Sequence, residues 1–179
     1  NMDVFVMPAS GGPALRLTEH SAGDIPSDFT PDNKLVLFSS DRMRDVADRQ
    51  FPAAGFSELY QVPVTGGKAL RVLSTAAYGA RYSPDGGTLL YQDRKGYENN
   101  FRKHHTSSVT RDIWTYDVKD KQYAQISTFN GEDLNPVFSP DGMQVYFLSE
   151  AKGSMTVFRT SIFGGPSTQI TFLDKDPVR

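Results

Sequence analysis

Cysteine is absent from the 179 residues of the chain. The absence excludes disulfide frameworks, zinc sites built on thiolates and cysteine nucleophiles. It leaves the cellular compartment open.

Long apolar runs are also missing. No segment approaches the roughly 18 apolar residues that a membrane-spanning helix needs. The first residues lack the basic and apolar regions of a secretory signal. We therefore expect no membrane span, and no export signal within these residues.

The chain carries no excess charge of either sign. Lys and Arg number 19, Asp and Glu number 21, and the formal net charge is -2. Such a chain has no overall field that would attract nucleic acid or an anionic bilayer. The length fits one modest globular domain.

No segment shows apolar residues at a sustained helical period. The chain instead repeats a short sequence that is typical of turns. The strings Thr30–Asn33, Ser83–Gly86 and Ser139–Gly142 share one pattern, with prolines 53 and 56 residues apart. Pro presets φ for a turn, Asp bonds the local backbone, and Gly or Asn takes the left-handed position. Each string predicts a tight hairpin.

A second repeated unit is an aromatic residue followed six residues later by another turn. Its four copies begin at Phe5, Tyr60, Trp114 and Phe158. Two hairpins per repeat form a four-stranded antiparallel sheet, whose strands we label A to D. Such sheets repeated along a chain are typical of a β-propeller.

The predicted fold is therefore all-β, a partial β-propeller in one domain over residues 1–179. We expect complete four-stranded blades at 22–75, 76–129 and 130–172, a half blade (strands C and D) at 1–18, and the start of a further blade at 173–179. An open arc of this kind leaves apolar sheet faces uncovered. We therefore expect part of a larger protein, or a homo-oligomer in which two copies complete a ring.

Two of the blades carry insertions of about 11 to 12 residues between strands B and C, at 41–56 and 94–106. Strand direction alternates, so the A–B and C–D turns lie on one face and the B–C loops and D–A connections on the other. Long loops on a rigid scaffold often bind ligands. Covering a neighbouring domain is the alternative.

The second insertion holds the candidate binding residues. Guanidinium and aromatic groups there can hold a peptide carboxylate or backbone, whereas a solvated loop is the structural alternative. The candidates are Arg94, Lys95, Tyr97, Arg102, Lys103, His104 and His105. The first insertion alternates Asp and Arg, which predicts local ion pairs rather than ligand binding.

Several residues invite a chemical interpretation that the spacing does not support. Adjacent histidines point to opposite faces of a strand and lack a third ligand nearby, so we predict no metal site at His104 and His105. Ser107, Ser108 and Thr110 lack an oriented partner group and predict no nucleophile. We expect no cofactor and no catalytic residue in this chain.

Acidic residues in three other places have structural explanations. The turn residues Asp32, Asp85 and Asp141 serve turn geometry and not calcium binding, because an EF-hand series is absent. Arg111 and Asp112 are predicted to anchor the second insertion to the sheet. The acidic pairs at 132–133 and 174–176 lie in D–A connections, where they are either solvated or complementary to a basic partner.

The string 135–142 is followed by an apolar strand and then by an aromatic strand that ends in Gly-Gly. This pattern resembles the propeller repeat of TolB and its relatives. The segment 102–114, followed by 131–136, is similar to the N-terminal propeller of tricorn-protease-like serine peptidases. The tail 174–179 resembles the entry of the next blade in those enzymes.

The resemblance implies a non-catalytic propeller that filters or conducts peptide substrates, with the catalytic Ser, His and acid in a downstream domain. None of those catalytic positions maps onto this chain. The predicted function is thus a propeller segment of a tricorn-like serine peptidase, for peptide access or domain assembly, in a periplasmic or secreted location. The alternatives are a TolB-type protein-interaction module without an attached enzyme and the propeller of another hydrolase.

Overall fold

The computed structural model describes residues 2–42, 57–93 and 106–172. Its regular elements are fourteen β-strands, and no helix occurs in these three segments. The strands are β1 (Phe5–Val6), β2 (Leu15–Arg16), β3 (Asp24–Phe29), β4 (Leu35–Ser40), β5 (Glu58–Pro63), β6 (Leu70–Leu73), β7 (Ala77–Tyr82), β8 (Thr88–Asp93), β9 (Ile113–Asp117), β10 (Tyr123–Gln125), β11 (Asp133–Phe138), β12 (Gln144–Ser149), β13 (Thr156–Ser161) and β14 (Thr168–Gln169).

The strands form one two-stranded and three four-stranded antiparallel sheets. The pair is β1–β2, and the larger sheets follow chain order as β3–β6, β7–β10 and β11–β14. This arrangement confirms the all-β fold with propeller-type blades. The blade limits at 22–75, 76–129 and 130–172 remain a proposal, and residues 173–179 lie outside the described segments.

Each first hairpin is closed by the turn that the repeated string predicts. The N–H groups of Asn33, Gly86 and Gly142 donate to the carbonyl three residues earlier, and all three residues have positive φ. In the second hairpin of the middle blade, Lys121 takes the left-handed position with φ of 58°. There Asp117 Oδ1 accepts the Asp120 N–H at 2.7 Å and supports a turn that the other blades make with Gly-Gly.

Strand A of every four-stranded sheet contains an irregularity at the same place. The register with strand B shifts between Pro26 and Asp28, between Tyr78 and Arg81, and between Leu134 and Val137. Such bulges bend the strand and increase its local twist.

Three apolar clusters join consecutive sheets, so the core lies between blades. One joins the half blade to the first sheet, one joins the first to the second, and one joins the second to the third. Representative members are Val4 with Phe38, Leu37 with Leu89, and Leu90 with Val145. Full burial of a large aliphatic side chain contributes about 1.5 to 3 kcal/mol to the free energy of folding. These clusters are therefore the main source of stability.

Hydrogen bonds also join strand B of one blade to strand A of the next. Ser39 Oγ donates to the Ala77 carbonyl at 3.1 Å, and Gln92 Oε1 accepts the Asn135 N–H at 2.7 Å. Ser39 and Gln92 occupy equivalent strand positions and are buried. The same strand B position therefore links the first blade to the second and the second blade to the third.

Candidate functional site

The two insertions emerge from the same face, which we call the insertion face. Antiparallel order places the B–C connections and the D–A connections together there, as the sequence predicts. Arg94, Lys95, Tyr97, Arg102, Lys103, His104 and His105 lie outside the described residues, as do 43–56. The structure describes the anchors from which both insertions leave the sheets.

The first insertion is anchored by Arg42. Its Nη2 atom lies 2.5 Å from Oδ2 of Asp24, at the start of strand A, and its side chain is only 15% exposed. The guanidinium carbon lies 4.8 Å from the ring centroid of Phe38 and 5.1 Å from that of Tyr60. The ion pair and the cation–π contacts are shielded from solvent, and together they fix the position of the Arg42 side chain. The alternating charges at 41–49 did not reveal Asp24 as its partner.

The second insertion is anchored by Asp93, the last residue of β8. Its Oδ1 atom accepts the Asp112 N–H at 2.9 Å, and its Oδ2 atom accepts Trp114 Nε1–H at 3.2 Å. The Asp93 N–H in turn donates to the Asp112 carbonyl at 3.0 Å. These bonds fix both ends of the insertion to one another. The sequence indicated the anchoring role of Asp112 but not its partner.

Arg111 connects the second insertion to the following blade. Its Nε atom lies 2.8 Å from Oε2 of Glu132, and its carbonyl accepts the Asp133 N–H at 3.0 Å. Glu132 is 3% exposed and Asp133 is fully buried. The expectation that this acidic pair is solvated or meets a basic partner at the surface is therefore wrong, because both side chains lie within the blade junction.

Asp133 is a strongly perturbed carboxyl among the described residues of the insertion face. Burial, with smaller contributions from nearby Asp112 and Glu132, raises its pKa to about 7, although the neighbouring hydroxyl groups of Ser149 and Ser127 oppose the rise. Asp133 and Asp24 both begin strand A, whereas Ala77 begins it in the middle blade. Their shared repeat position is the sequence signal that distinguishes them from surface acids.

Among the residues that the structure describes, no group of three or more His, Asp or Glu is arranged to hold a metal ion. Nor does any helix of those segments have the length and apolarity needed to cross a membrane.

The three turn aspartates have the structural role that their repeat predicts. Their Oδ1 atoms accept hydroxyl hydrogen bonds from Thr30, Ser83 and Ser139 at 2.7, 2.5 and 2.5 Å. Each Oδ1 also accepts the N–H two residues later in the chain. These hydrogen bonds, the hydroxyl bond first, lower the pKa of all three carboxyls.

Comparison with known proteins places the whole chain within one family. The family model described as the tricorn protease N-terminal beta propeller domain matches residues 1–179. A curated relative from Agrobacterium fabrum, described as an uncharacterized protein, is 27% identical over 118 residues. That match covers 65% of the chain and 36% of the relative.

Two solved structures have a similar fold. A putative TolB from Agrobacterium tumefaciens is 22% identical with a TM-score of 0.69, and the match covers 96% of this chain and 56% of that one. The tricorn protease is 20% identical with a TM-score of 0.73, and the match covers 98% of this chain and 16% of that one. The chain thus spans only part of each of these proteins, and the likeness shows a shared fold.

Proposed function

The chain belongs to the family of tricorn protease N-terminal β-propeller domains, and from that premise we propose that it is a non-catalytic propeller segment of a tricorn-like serine peptidase. Its insertion face receives peptide substrate on the way to a catalytic domain elsewhere in the parent chain. The observation that carries the proposal is the anchoring of both insertions on one face of this propeller, by Arg42 with Asp24 and by Asp93 with Trp114.

Rigid anchors suit a peptide-binding role for two physical reasons. A loop whose ends are fixed loses less conformational entropy when it closes on a ligand. A peptide offers carboxylates and carbonyl oxygens, which Arg and Lys bind through charge-assisted hydrogen bonds. We assign these contacts to Arg94, Lys95, Tyr97, Arg102, Lys103, His104 and His105.

The binding test uses the 179-residue chain and a fluorescein-labelled decapeptide of mixed sequence with a free C-terminal carboxylate. We expect saturable binding by fluorescence anisotropy, weakened about tenfold by the double change Arg102→Gln and Lys103→Gln. Arg71→Gln is the matched control, because Arg71 is an exposed arginine on strand D, paired with Glu58. Equal affinities of both variants would refute binding by the second insertion.

Domain assembly is the alternative role of the same face. In that case the insertions contact the remainder of the parent chain, and the decapeptide does not bind. Cross-linking mass spectrometry of the full-length protein distinguishes the two roles: cross-links from Lys95 and Lys103 to a peptidase domain indicate assembly. A gene without a downstream serine peptidase domain would contradict the peptidase assignment altogether.

A TolB-type interaction module is the second candidate function. Similarity to the putative TolB structure over 96% of the chain favours it. It requires a protein partner and no attached enzyme, so the sequence of the full gene separates it from the first proposal. We also propose a periplasmic or secreted location from the family resemblance, to be checked by cell fractionation of the native protein.

Self-association is a separate proposal about the open arc. Leu59 and Ile113 are buried on strand C of the first two blades, whereas the equivalent Val157 of the third blade is partly exposed. On strand D of the third blade Ile170 is 41% exposed, whereas its counterpart in the second blade, Ile126, is buried. A second copy could cover this face. Multi-angle light scattering of the purified chain tests it: a dimer mass supports ring completion by two copies, and a strict monomer excludes it.

A further inference from the structure

The face opposite the insertions, which we call the turn face, contains a groove of about 540 Å³ between the first turns of the three blades. Aromatic rings of Phe29, Tyr82 and Phe138 line it, together with the turn prolines. The volume lies within the range of ligand sites in proteins. All of its lining residues belong to the described segments.

One position in the groove differs in chemistry among the three blades. The residue before each aromatic is Asp28 in the first blade, Arg81 in the second and Val137 in the third, and all three line the groove. The adjacent aromatic and turn residues recur in every copy because packing and turn geometry require them. Neither packing nor turn geometry requires a particular residue at the position of Asp28, Arg81 and Val137. The side chains at this position are therefore available to contact a ligand.

Arg81 offers unused hydrogen-bond donors to this groove. Its Nη1 atom lies 3.9 Å from Oδ2 of Asp28, too far for a hydrogen bond, and its side chain is 44% exposed. Oδ1 of Asp28 accepts the Phe29 N–H at 2.8 Å. Within the described part of the chain the guanidinium makes this one loose ion pair and no hydrogen bond. An exposed pair at such a distance contributes little and is readily exchanged.

Apolar surface lies beside this cation. The side chains of Phe29 and Val137 are 45% and 38% exposed, on either side of the middle blade. A ligand that complements the groove therefore needs a carboxylate for Arg81 and an apolar group for the adjacent surface. An extended chain is required to reach across three neighbouring blades.

We propose that the turn-face groove binds a peptide segment in which an acidic residue is followed by an apolar one. The acidic side chain forms a two-pronged hydrogen bond with the Arg81 guanidinium, and the apolar side chain packs against Phe29 or Val137. This site is separate from the insertion face and does not depend on the function proposed there.

The test uses a fluorescein-labelled Ala-Glu-Leu-Ala peptide with an amidated C-terminus, so that the glutamate is its only carboxylate apart from the dye. Anisotropy titration of the 179-residue chain should show saturable binding. The matching Ala-Gln-Leu-Ala peptide with the same label should bind about tenfold more weakly, because it loses a charge-assisted hydrogen bond.

Two variants and one control locate the site. Arg81→Gln should weaken binding of the glutamate peptide about tenfold, whereas Asp28→Asn should strengthen it by removing the competing carboxylate. Arg71→Gln should leave binding unchanged, since that arginine is similarly exposed, at 46%, but lies outside the groove. Circular dichroism confirms that each variant is folded.

Any of the following results would overturn the proposal: no saturable binding up to millimolar protein, equal affinity for the glutamate and glutamine peptides, or equal effects of Arg81→Gln and Arg71→Gln. The comparison of the two peptides uses the unaltered chain, so it decides the question even if Arg81→Gln fails to fold. Loss of binding on changing Arg102 and Lys103 would assign the peptide to the insertion face and would also overturn it.

Discussion

A Cβ atom at Gly142 would lie 3.1 Å from Cδ of Pro84, the proline of the preceding blade's first turn. The corresponding distance from Gly86 to Cγ of Pro31 is 3.7 Å. Gly142 thus serves two purposes, a positive φ and close approach of the preceding blade's turn, whereas the contact at Gly86 is an ordinary van der Waals contact. Consecutive turns stack through a proline on one and a glycine on the other.

We predict that Gly142→Ala destabilises the chain more than two other glycine changes. Alanine at a positive φ costs about 1 kcal/mol at any such position, and at Gly142 the contact with Pro84 adds to it. Gly153→Ala is the control for φ alone, since Gly153 has φ of 95° and no atom within 4 Å of its Cβ position. Urea unfolding should rank Gly142→Ala above Gly86→Ala and Gly153→Ala. Equal losses would show that the stacking contact is unimportant.

The second prediction concerns the buried carboxyl of Asp133 and its pKa of about 7. A carboxyl whose folded pKa lies above its unfolded value favours folding at low pH, and this contribution is lost as the pH rises from about 4 to about 7. Asp133→Asn removes the dependence. The variant should gain stability relative to the unaltered chain as the pH rises, by on the order of 4 kcal/mol at pH 8.

Urea unfolding at pH 5 and pH 8 measures about 3 kcal/mol of this difference, because the remainder is already lost by pH 5. Asp85→Asn is the control without a pH effect in this range: hydrogen bonds lower the pKa of Asp85, so the stabilisation by its charged form is complete above its unfolded pKa and is lost only at more acid pH. A stability difference between Asp133→Asn and the unaltered chain that stays constant with pH would contradict the raised pKa.

The third prediction concerns the ion pair between Arg42 and Asp24. Arg42→Met should destabilise the fold by about 3 to 5 kcal/mol, because it leaves a fully buried carboxylate without its partner. Adding Asp24→Asn to this variant should recover part of the loss, since the uncompensated charge disappears. Arg71→Met, at an exposed pair, should cost about 1 kcal/mol or less. If the double variant is no more stable than Arg42→Met, the ion pair does not explain the loss.

The fourth prediction concerns the link between the second and third blades. Gln92→Leu removes the acceptor of the Asn135 N–H, and the loss of this part-buried hydrogen bond should cost about 0.5 to 1.5 kcal/mol. Hydrogen exchange should accelerate at the Asn135 amide more than at the Tyr146 amide in the interior of the third sheet. Uniform acceleration across the sheet would indicate general destabilisation and not loss of a specific link.

The sequence predicted the strands and the turns well because their signals are local. Pro, Asp and Gly at fixed spacing specify a turn through φ and side-chain bonding within five residues, as Ser139 and Asp141 illustrate. The partners of Arg42 and Arg111 could not be predicted in the same way. Asp24 and Glu132 lie 18 and 21 residues away along the chain, and only the packing of neighbouring strands brings them together.

The burial of Asp133 shows a second limit of the sequence. An acidic residue beside Glu132 in a connection resembles a solvated surface pair, and only its place at the start of strand A identifies it as internal. The candidate binding residues at 94–105 stay predictions, since the structure describes the anchors and not the insertion itself.

The most direct test of the central claim is an NMR titration of the ¹⁵N-labelled chain with the decapeptide that carries a free C-terminal carboxylate. Binding at the insertion face should shift the amide signals of 94–105 and of Asp93 and Asp112, and the shifts should disappear when Arg102 and Lys103 are changed to Gln. Shifts confined to other regions, or none at all, would contradict a role of this face in receiving peptide.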